Sequence, residues 1–296
     1  MQIGAVIGLG LLTRPLSAEL VKNPSKGFLN PDSSSKSFGQ QISRPIPFVR
    51  SDESRYQACL SLLKPEPISA IEYSQTWIEE SADFAAIHCL ALGLYHQGRM
   101  TLAASTLHNL AQAMEYSESE AAEHGLTPTE STPRLRSLVL AQAGVIFDLG
   151  GDSPSAEREL SQAIGLNPND LELYLDRALI RGKQNLWQLV LKDLNSAIKL
   201  LGGQNTSATL EALGLRATAE RQLGEFKAAR GSLDQVFYHS ARDEAALIES
   251  GNLYLAVGDH NRARQAWLEV LKRREQGVMA DLARSLLEKM DVSSGK

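Results

Sequence analysis

The chain has 296 residues, 43% of them apolar and 22% charged, enough to bury a core in one extended array or two ordinary domains. Its formal net charge of −5 speaks against a nucleic-acid partner, because proteins of that class carry a basic face or stripe. It has two cysteines, Cys59 and Cys89, with no CxxC pair and no Cys/His cluster, so neither a zinc site nor any other metal is expected.

Residues 3–12 (IGAVIGLGLL) form an apolar run too short to span a bilayer, and Leu16-Ser17-Ala18 offers a small-residue cleavage site behind it. This fits the apolar core of a secretory signal peptide over residues 1–18, although no Lys or Arg precedes the run. The expectation is export to a bacterial periplasm; the alternative is a plain apolar N-terminal segment on a cytoplasmic protein. Gly4, Gly8 and Gly10 match no nucleotide-binding pattern. Residues 19–50 are rich in Ser, Pro, Gly, Lys and Asn and lack an apolar period, which reads as a linker. If the apolar start is retained, that linker holds the folded body close to a membrane.

From residue 51 onwards the chain repeats itself. The clearest copy, residues 137–170, carries Leu140, Ala143-Gly144, Phe147, Gly151, Ala156, Leu160, Ala163 and Pro168. Residues 171–204 follow with Tyr174, Ala178, Val190, Leu194 and Ala197 at matching offsets, and with Asn185 in place of the turn glycine. Residues 210–243 carry Leu213, Ala217, Gly224, Ala229, Leu233 and Val236. Residues 244–277 carry Leu247, Gly251, Tyr254, Gly258, Ala263, Trp267 and Val270. Upstream, residues 84–117 form a fair copy and residues 51–83 a degenerate one, with Ala58, Ala70 and Trp77 around a turn at Lys64-Pro65-Glu66-Pro67.

This pattern resembles that of the tetratricopeptide repeat, W-x2-L-G-x2-Y followed by A-x3-F, A and P. The resemblance implies an all-α fold, a right-handed superhelical solenoid of antiparallel helix pairs spanning residues 51–292. Small residues at 91, 144, 178, 217 and 251 on first helices, and at 103, 156, 229 and 263 on second helices, fall where paired helices cross closely. Residues 278–290 (VMADLARSLLEKM) are amphipathic and read as the capping helix that covers the last apolar face, with the tail frayed from Asp291. Extra residues 118–136 are expected to extend one helix to about Glu123 and then form an exposed loop. A further insertion around residues 202–206 lengthens a turn.

Charged residues at core offsets invite a structural reading. In tetratricopeptide repeats, which the copy resembles, an Arg at the place of Arg177 often pairs with an acid on the second helix, here Asp193, and Arg216 and Glu220 fall at comparable places in the next copy. His88 and His96 lie two helical turns apart, near 12 Å, too far to share one metal ion without a third ligand. Cys59 and Cys89 fall on the first helices of adjacent copies; export would favour a disulfide between them, and the alternative is two buried thiols. No Gly-x-Ser-x-Gly, His-Glu-x-x-His or P-loop motif occurs, so no catalytic residue and no cofactor is assigned.

In the tetratricopeptide family the concave surface is lined by first helices. Carried over, that face comprises His88, Leu92 and Tyr95, then Leu138, Ala141 and Val145, then Leu175 and Leu179, an apolar strip suited to an amphipathic helix or extended peptide. The Lys, Arg and Asn set that grips chaperone C-termini is missing. The expected role is a non-enzymatic scaffold or adaptor with a protein or peptide partner. The alternatives are a self-associating structural subunit, with the strip covered by a second copy or by the linker, and a regulatory component of a larger envelope complex.

Overall fold

The computed structural model describes residues 52–81, 83–123, 133–204, 206–241, 243–273 and 275–294. The apolar N-terminal run, the linker and the loop expected after Glu123 lie outside the described residues. Among the described residues thirteen helices run in chain order: α1 (Glu53–Leu62), α2 (Pro67–Glu80), α3 (Phe84–His96), α4 (Met100–Glu123), α5 (Pro133–Leu149), α6 (Ser153–Leu166), α7 (Leu171–Lys183), α8 (Trp187–Leu201), α9 (Ser207–Gln222), α10 (Phe226–His239), α11 (Glu244–Ala256), α12 (His260–Arg273) and α13 (Val278–Ser294). They make six antiparallel pairs and a closing helix, and the described residues contain no strand.

Local chemistry sets the helix ends. Asp52, Asp83, Asp170, Thr206 and Asp243 each cap a first helix, the side-chain oxygen accepting a backbone N–H of the first turn that no helical carbonyl can reach. Between the helices of a pair the chain turns through a left-handed residue: Gly98, Gly151, Gly224 and Gly258 have φ between 79° and 86°. Asn185 takes the same conformation, φ 60°, at the place where the sequence substitutes it for glycine; asparagine is one of the few side chains that tolerates it.

The crossings behave as their small residues require. A methyl group on Gly144 would sit 3.0 Å from Leu160 Cγ and 3.1 Å from the Ala156 carbonyl oxygen. At Gly251 a methyl would overlap the indole of Trp267, coming within 2.6 Å of its Cδ1. Trp267 is fully buried and donates its Nε1 to the Ile248 carbonyl oxygen at 3.2 Å, so the ring has nowhere to turn. Overpacking a core commonly costs about 1–3 kcal/mol, the indole bond adds about 1 kcal/mol, and alanine returns about 1 kcal/mol in helix propensity. Gly251→Ala is therefore expected to lose about 1–3 kcal/mol in urea unfolding. Pairing it with Trp267→Leu, which vacates the overlap, should remove the added penalty; identical losses with and without the tryptophan would show that the two do not meet.

One apolar cluster runs from Tyr56 in α1 to Leu253 in α11, and a second joins Ile248, Ala263, Trp267 and Val270 to Leu282, Ala283, Leu286 and Met290 of α13. The closing helix covers the last apolar face as expected, but it does not fray at Asp291 and continues to Ser294. The insertion differs too. α4 reaches Glu123 as anticipated, yet α5 starts at Pro133, ahead of Ser137, because proline suits a first helical turn where its missing N–H has no partner to lose. Arg136 is thereby placed on α5, where its Nη2 meets Glu115 of α4 at 3.1 Å. No helix among the described residues is long and apolar enough to cross a membrane.

Candidate interaction surface

The eight first-helix residues assigned to the inner side divide sharply. His88, Leu92, Ala141, Val145, Leu175 and Leu179 are buried, none more than 7% exposed. Only Tyr95 and Leu138 remain partly open. The expected open apolar strip is therefore corrected. The five buried apolar members belong to the continuous core cluster. His88 shows how the row closes on itself: Tyr56 of α1 lies 2.7 Å from its Nδ1 and Gln142 Oε1 of α5 lies 2.7 Å from its Nε2, so three successive first helices meet through one ring. Full burial pushes the His88 pKa down to about 4, opposed by the Gln142 bond, and the ring is neutral at physiological pH. Cys59 of α1 and Cys89 of α3 form a disulfide, with Cα atoms 6.4 Å apart, alongside the same contact. Of the two states left open by the sequence, the structure has the bonded one.

What stays open on this side is an edge. Leu138, Glu172 and Glu211 occupy the second position of three consecutive copies, and each is partly exposed. Two of the three are acids, and a buried acid stands behind them. Asp176, one turn along α7 from Glu172 and on the same helix face as Leu175 and Leu179, is 3% exposed. No donor among the described residues reaches its Oδ2. Burial holds its pKa well above the carboxylate range, and the charges of Glu172, Glu211, Asp170 and Asp148 push the same way. Glu211 on α9 is raised to about 7, first by burial and then by Glu172. Lys183 pairs with Asp148.

Arg177 and Arg181 of α7 turn outward to the second helices. Arg177 donates Nη2 to Asp193 Oδ1 at 2.7 Å and Nε to Oδ2 at 3.1 Å, the pairing expected from sequence. Arg181 donates Nη1 to the same carboxylate at 2.7 Å and also meets Glu157 of α6 at 2.8 Å, while Arg177 Nη1 reaches Ser161 Oγ at 2.9 Å. One copy later, Arg216 donates Nε to Ser232 Oγ at 3.0 Å, and Ser232 donates to Glu220 Oε2 at 2.6 Å. These groups hold helices together and are not free to bind an anion. Farther along the inner row, Arg221 of α9 pairs with the fully buried Glu249 of α11 at 2.5 Å. Among the described residues no group of three or more His, Cys, Asp or Glu side chains is arranged to hold a metal ion.

The sequence reading missed Asp176 and Glu211. The signal was there: Glu172 and Asp176 stand four apart on the face that also carries Leu175 and Leu179, and an acid on an otherwise apolar face is the informative departure.

No protein-family model matches the chain, and no curated protein matches it by sequence. Solved structures match it by shape. A tetratricopeptide repeat protein from Parabacteroides merdae superposes with a TM-score of 0.61 at 15% identity, over 82% of this chain and 86% of that one. BtubC from P. vanneervenii gives 0.54 at 12% identity, over 81% and 91%. YrrB, described as a TPR protein with an unusual peptide-binding site, gives 0.51 at 15% identity, over 74% and 98%. At these identities the likeness speaks to architecture, and with the 34-residue period, the left-handed turns and the small-residue crossings it makes the fold a tetratricopeptide-type solenoid.

Proposed function

We propose that the chain is a non-catalytic scaffold or adaptor whose inner side, along the first helices, binds a peptide or helix of a partner protein. The observation that carries this is the edge formed by Leu138, Glu172 and Glu211, three equivalent positions of consecutive copies that stay partly open while the row behind them is packed. Side chains that stay accessible at the same position of three consecutive copies form a surface suited to a ligand lying along the array. The peptide-binding site ascribed to YrrB, a solenoid of like shape, supports the same reading.

The test uses 12-residue peptides selected by phage display on the full chain. Leu138→Glu and Tyr95→Ala, both on partly exposed inner positions, are expected to weaken a selected peptide tenfold or more. Tyr238→Ser, at a position 86% exposed on second helix α10, should leave it unchanged. Equal weakening by all three, or failure to recover any peptide, would overturn the proposal.

We also propose that the protein works outside the cytoplasm. The support is the Cys59–Cys89 disulfide, a bond that persists in oxidising compartments, together with the apolar run at residues 3–12.

A further inference from the structure

We propose that a second copy of the chain docks on the second helices, the open stripe of α2 on one copy lying along the open stripe of α8 on the other. This surface is separate from the first-helix side proposed above to bind a peptide. The charge of the second helices changes along the array. α2 carries Glu72, Glu79 and Glu80 and α4 carries four glutamates, neither with a lysine or arginine, whereas α8, α10 and α12 together carry eight lysines and arginines against three acids. One chain thus holds both halves of a complementary pair, and a copy of itself is the partner that matches.

The two stripes match residue by residue. On α2, Ile68, Glu72, Gln75 and Glu79 recur at three- and four-residue steps and therefore share one side of the helix. All four are exposed, Ile68 to 57%. On α8, Leu189, Lys192, Ser196 and Lys199 recur in the same way, with Leu189 39% exposed and both lysines open. Each stripe reads apolar, charged, polar, charged. The two glutamates are seven residues apart, and so are the two lysines, which sets each pair about 10.5 Å apart along its helix. With the helices parallel, Ile68 meets Leu189, Glu72 meets Lys192 and Glu79 meets Lys199. None of the four charged ends has an ion pair or hydrogen bond among the described residues.

Other second helices do not offer this pattern. On α12, Arg262 pairs with Asp259, Arg264 with Asp291, and Lys272 and Arg273 with Glu269. On α10, Lys227 and Arg230 share their stripe with an acid, Asp234. On α4, Glu115 pairs with Arg136. Within one chain α2 packs on α3, and α8 packs on α7 and α9, so five intervening helices keep the two stripes apart and the contact has to form between copies. An exposed apolar pair and two screened ion pairs make this a weak, salt-sensitive contact.

Sedimentation velocity of the full chain over a concentration series tests this. Wild type is expected to self-associate at about 50 mM salt and at least tenfold more weakly at about 500 mM. Glu72→Lys with Glu79→Lys, and separately Lys192→Glu with Lys199→Glu, should each weaken association at least tenfold, since like charges then face each other. An equimolar mixture of the two variants should restore it to within threefold of wild type, which also shows that both are folded. A control on α10, Lys227→Glu with Arg230→Glu, makes the same charge change as the α8 variant and should shift association less than threefold. Zero-length crosslinking of isotope-labelled with unlabelled wild type should join Glu72 to Lys192 and Glu79 to Lys199 of different copies. A wild-type chain that stays monomeric would overturn the inference, and so would site and control variants of equal effect, or a mixture that stays dissociated. Crosslinks from Glu72 or Glu79 to Lys22, Lys26 or Lys36 of the same chain, or monomers captured through Lys192 and Lys199 by phosphatidylglycerol vesicles, would overturn it by giving a stripe another occupant. Each of those failures leaves the peptide-binding test of Leu138 and Tyr95 standing, so the two proposals fall separately.

Discussion

Asp193→Ala should cost about 3–5 kcal/mol of stability, the range measured when one partner is removed from a buried ion pair. The carboxylate is 1% exposed and is shared by two guanidiniums, at 2.7 Å from each. Arg177 and Arg181 are themselves only 12% and 10% exposed, so water does not replace what is lost. After the substitution Arg181 keeps Glu157 and Arg177 keeps a serine hydroxyl, leaving two positive charges close together with one partly buried acid beside Arg181. The penalty comes from the stranded arginines more than from the attraction removed, because the pair had already been desolvated.

That origin makes a second measurement decisive. Changing all three residues together, Arg177→Leu, Arg181→Met and Asp193→Leu, removes the stranded charges along with their partner and should restore most of the stability. Urea unfolding followed by circular dichroism reads both variants. In a solenoid each copy contacts only its neighbours, so the loss should fall on the third and fourth pairs, which the network joins through α6, α7 and α8. A cost below about 1 kcal/mol for Asp193→Ala would place the network among solvent-screened surface pairs, whose usual worth is of that size.

Much of the architecture was legible because the repeat is enforced by sterics that act on single residues. Gly144 and Gly251 lie against the partner helix, so their small size is visible in any copy of the pattern. Asn185 could be read as a turn because few side chains accept φ near 60°. Arg177 and Asp193 could be matched because the tetratricopeptide pattern that the copy resembles often pairs an arginine at that place with an acid on the second helix. Helix ends were less legible. α5 begins at Pro133, where first-turn chemistry and not the repeat decides the start, and α13 runs on to Ser294 past the last buried residue, Met290.

The inner surface was misread for a physical reason. Leu92, Val145, Leu175 and Leu179 have the spacing of a continuous helix face, and spacing reports which residues share a side without reporting what lies against it. In a stack, a face shared by neighbouring first helices is core. The same logic in reverse would have singled out Asp176, since an acid on a face destined for burial must find a donor, remain protonated, or await a ligand.

Breaking the Cys59–Cys89 bond should weaken attachment of the first helix pair by about 3–4 kcal/mol, the chain-entropy value for a loop of some 30 residues. The first pair has the most to lose. Among the described residues α1, ten residues long, stacks on α3 and is tied to it by the disulfide and by Tyr56 against His88. Terminal copies of a solenoid lack the second interface that stabilises interior ones. Reduction, or Cys59→Ala with Cys89→Ala, should therefore appear as an early transition in thermal unfolding and as protease cleavage near Lys64, with α5 to α13 still folded. A single unsplit transition at the original temperature would mean that packing alone holds α1 in place. Alkylation of the native protein without reductant carries the same question to its compartment. If neither cysteine reacts under denaturing conditions, the bond exists where the protein works, and partners are to be sought outside the reducing cytoplasm. If both react, the chain lives with free thiols, the first pair relies on its apolar contacts, and export loses its structural support.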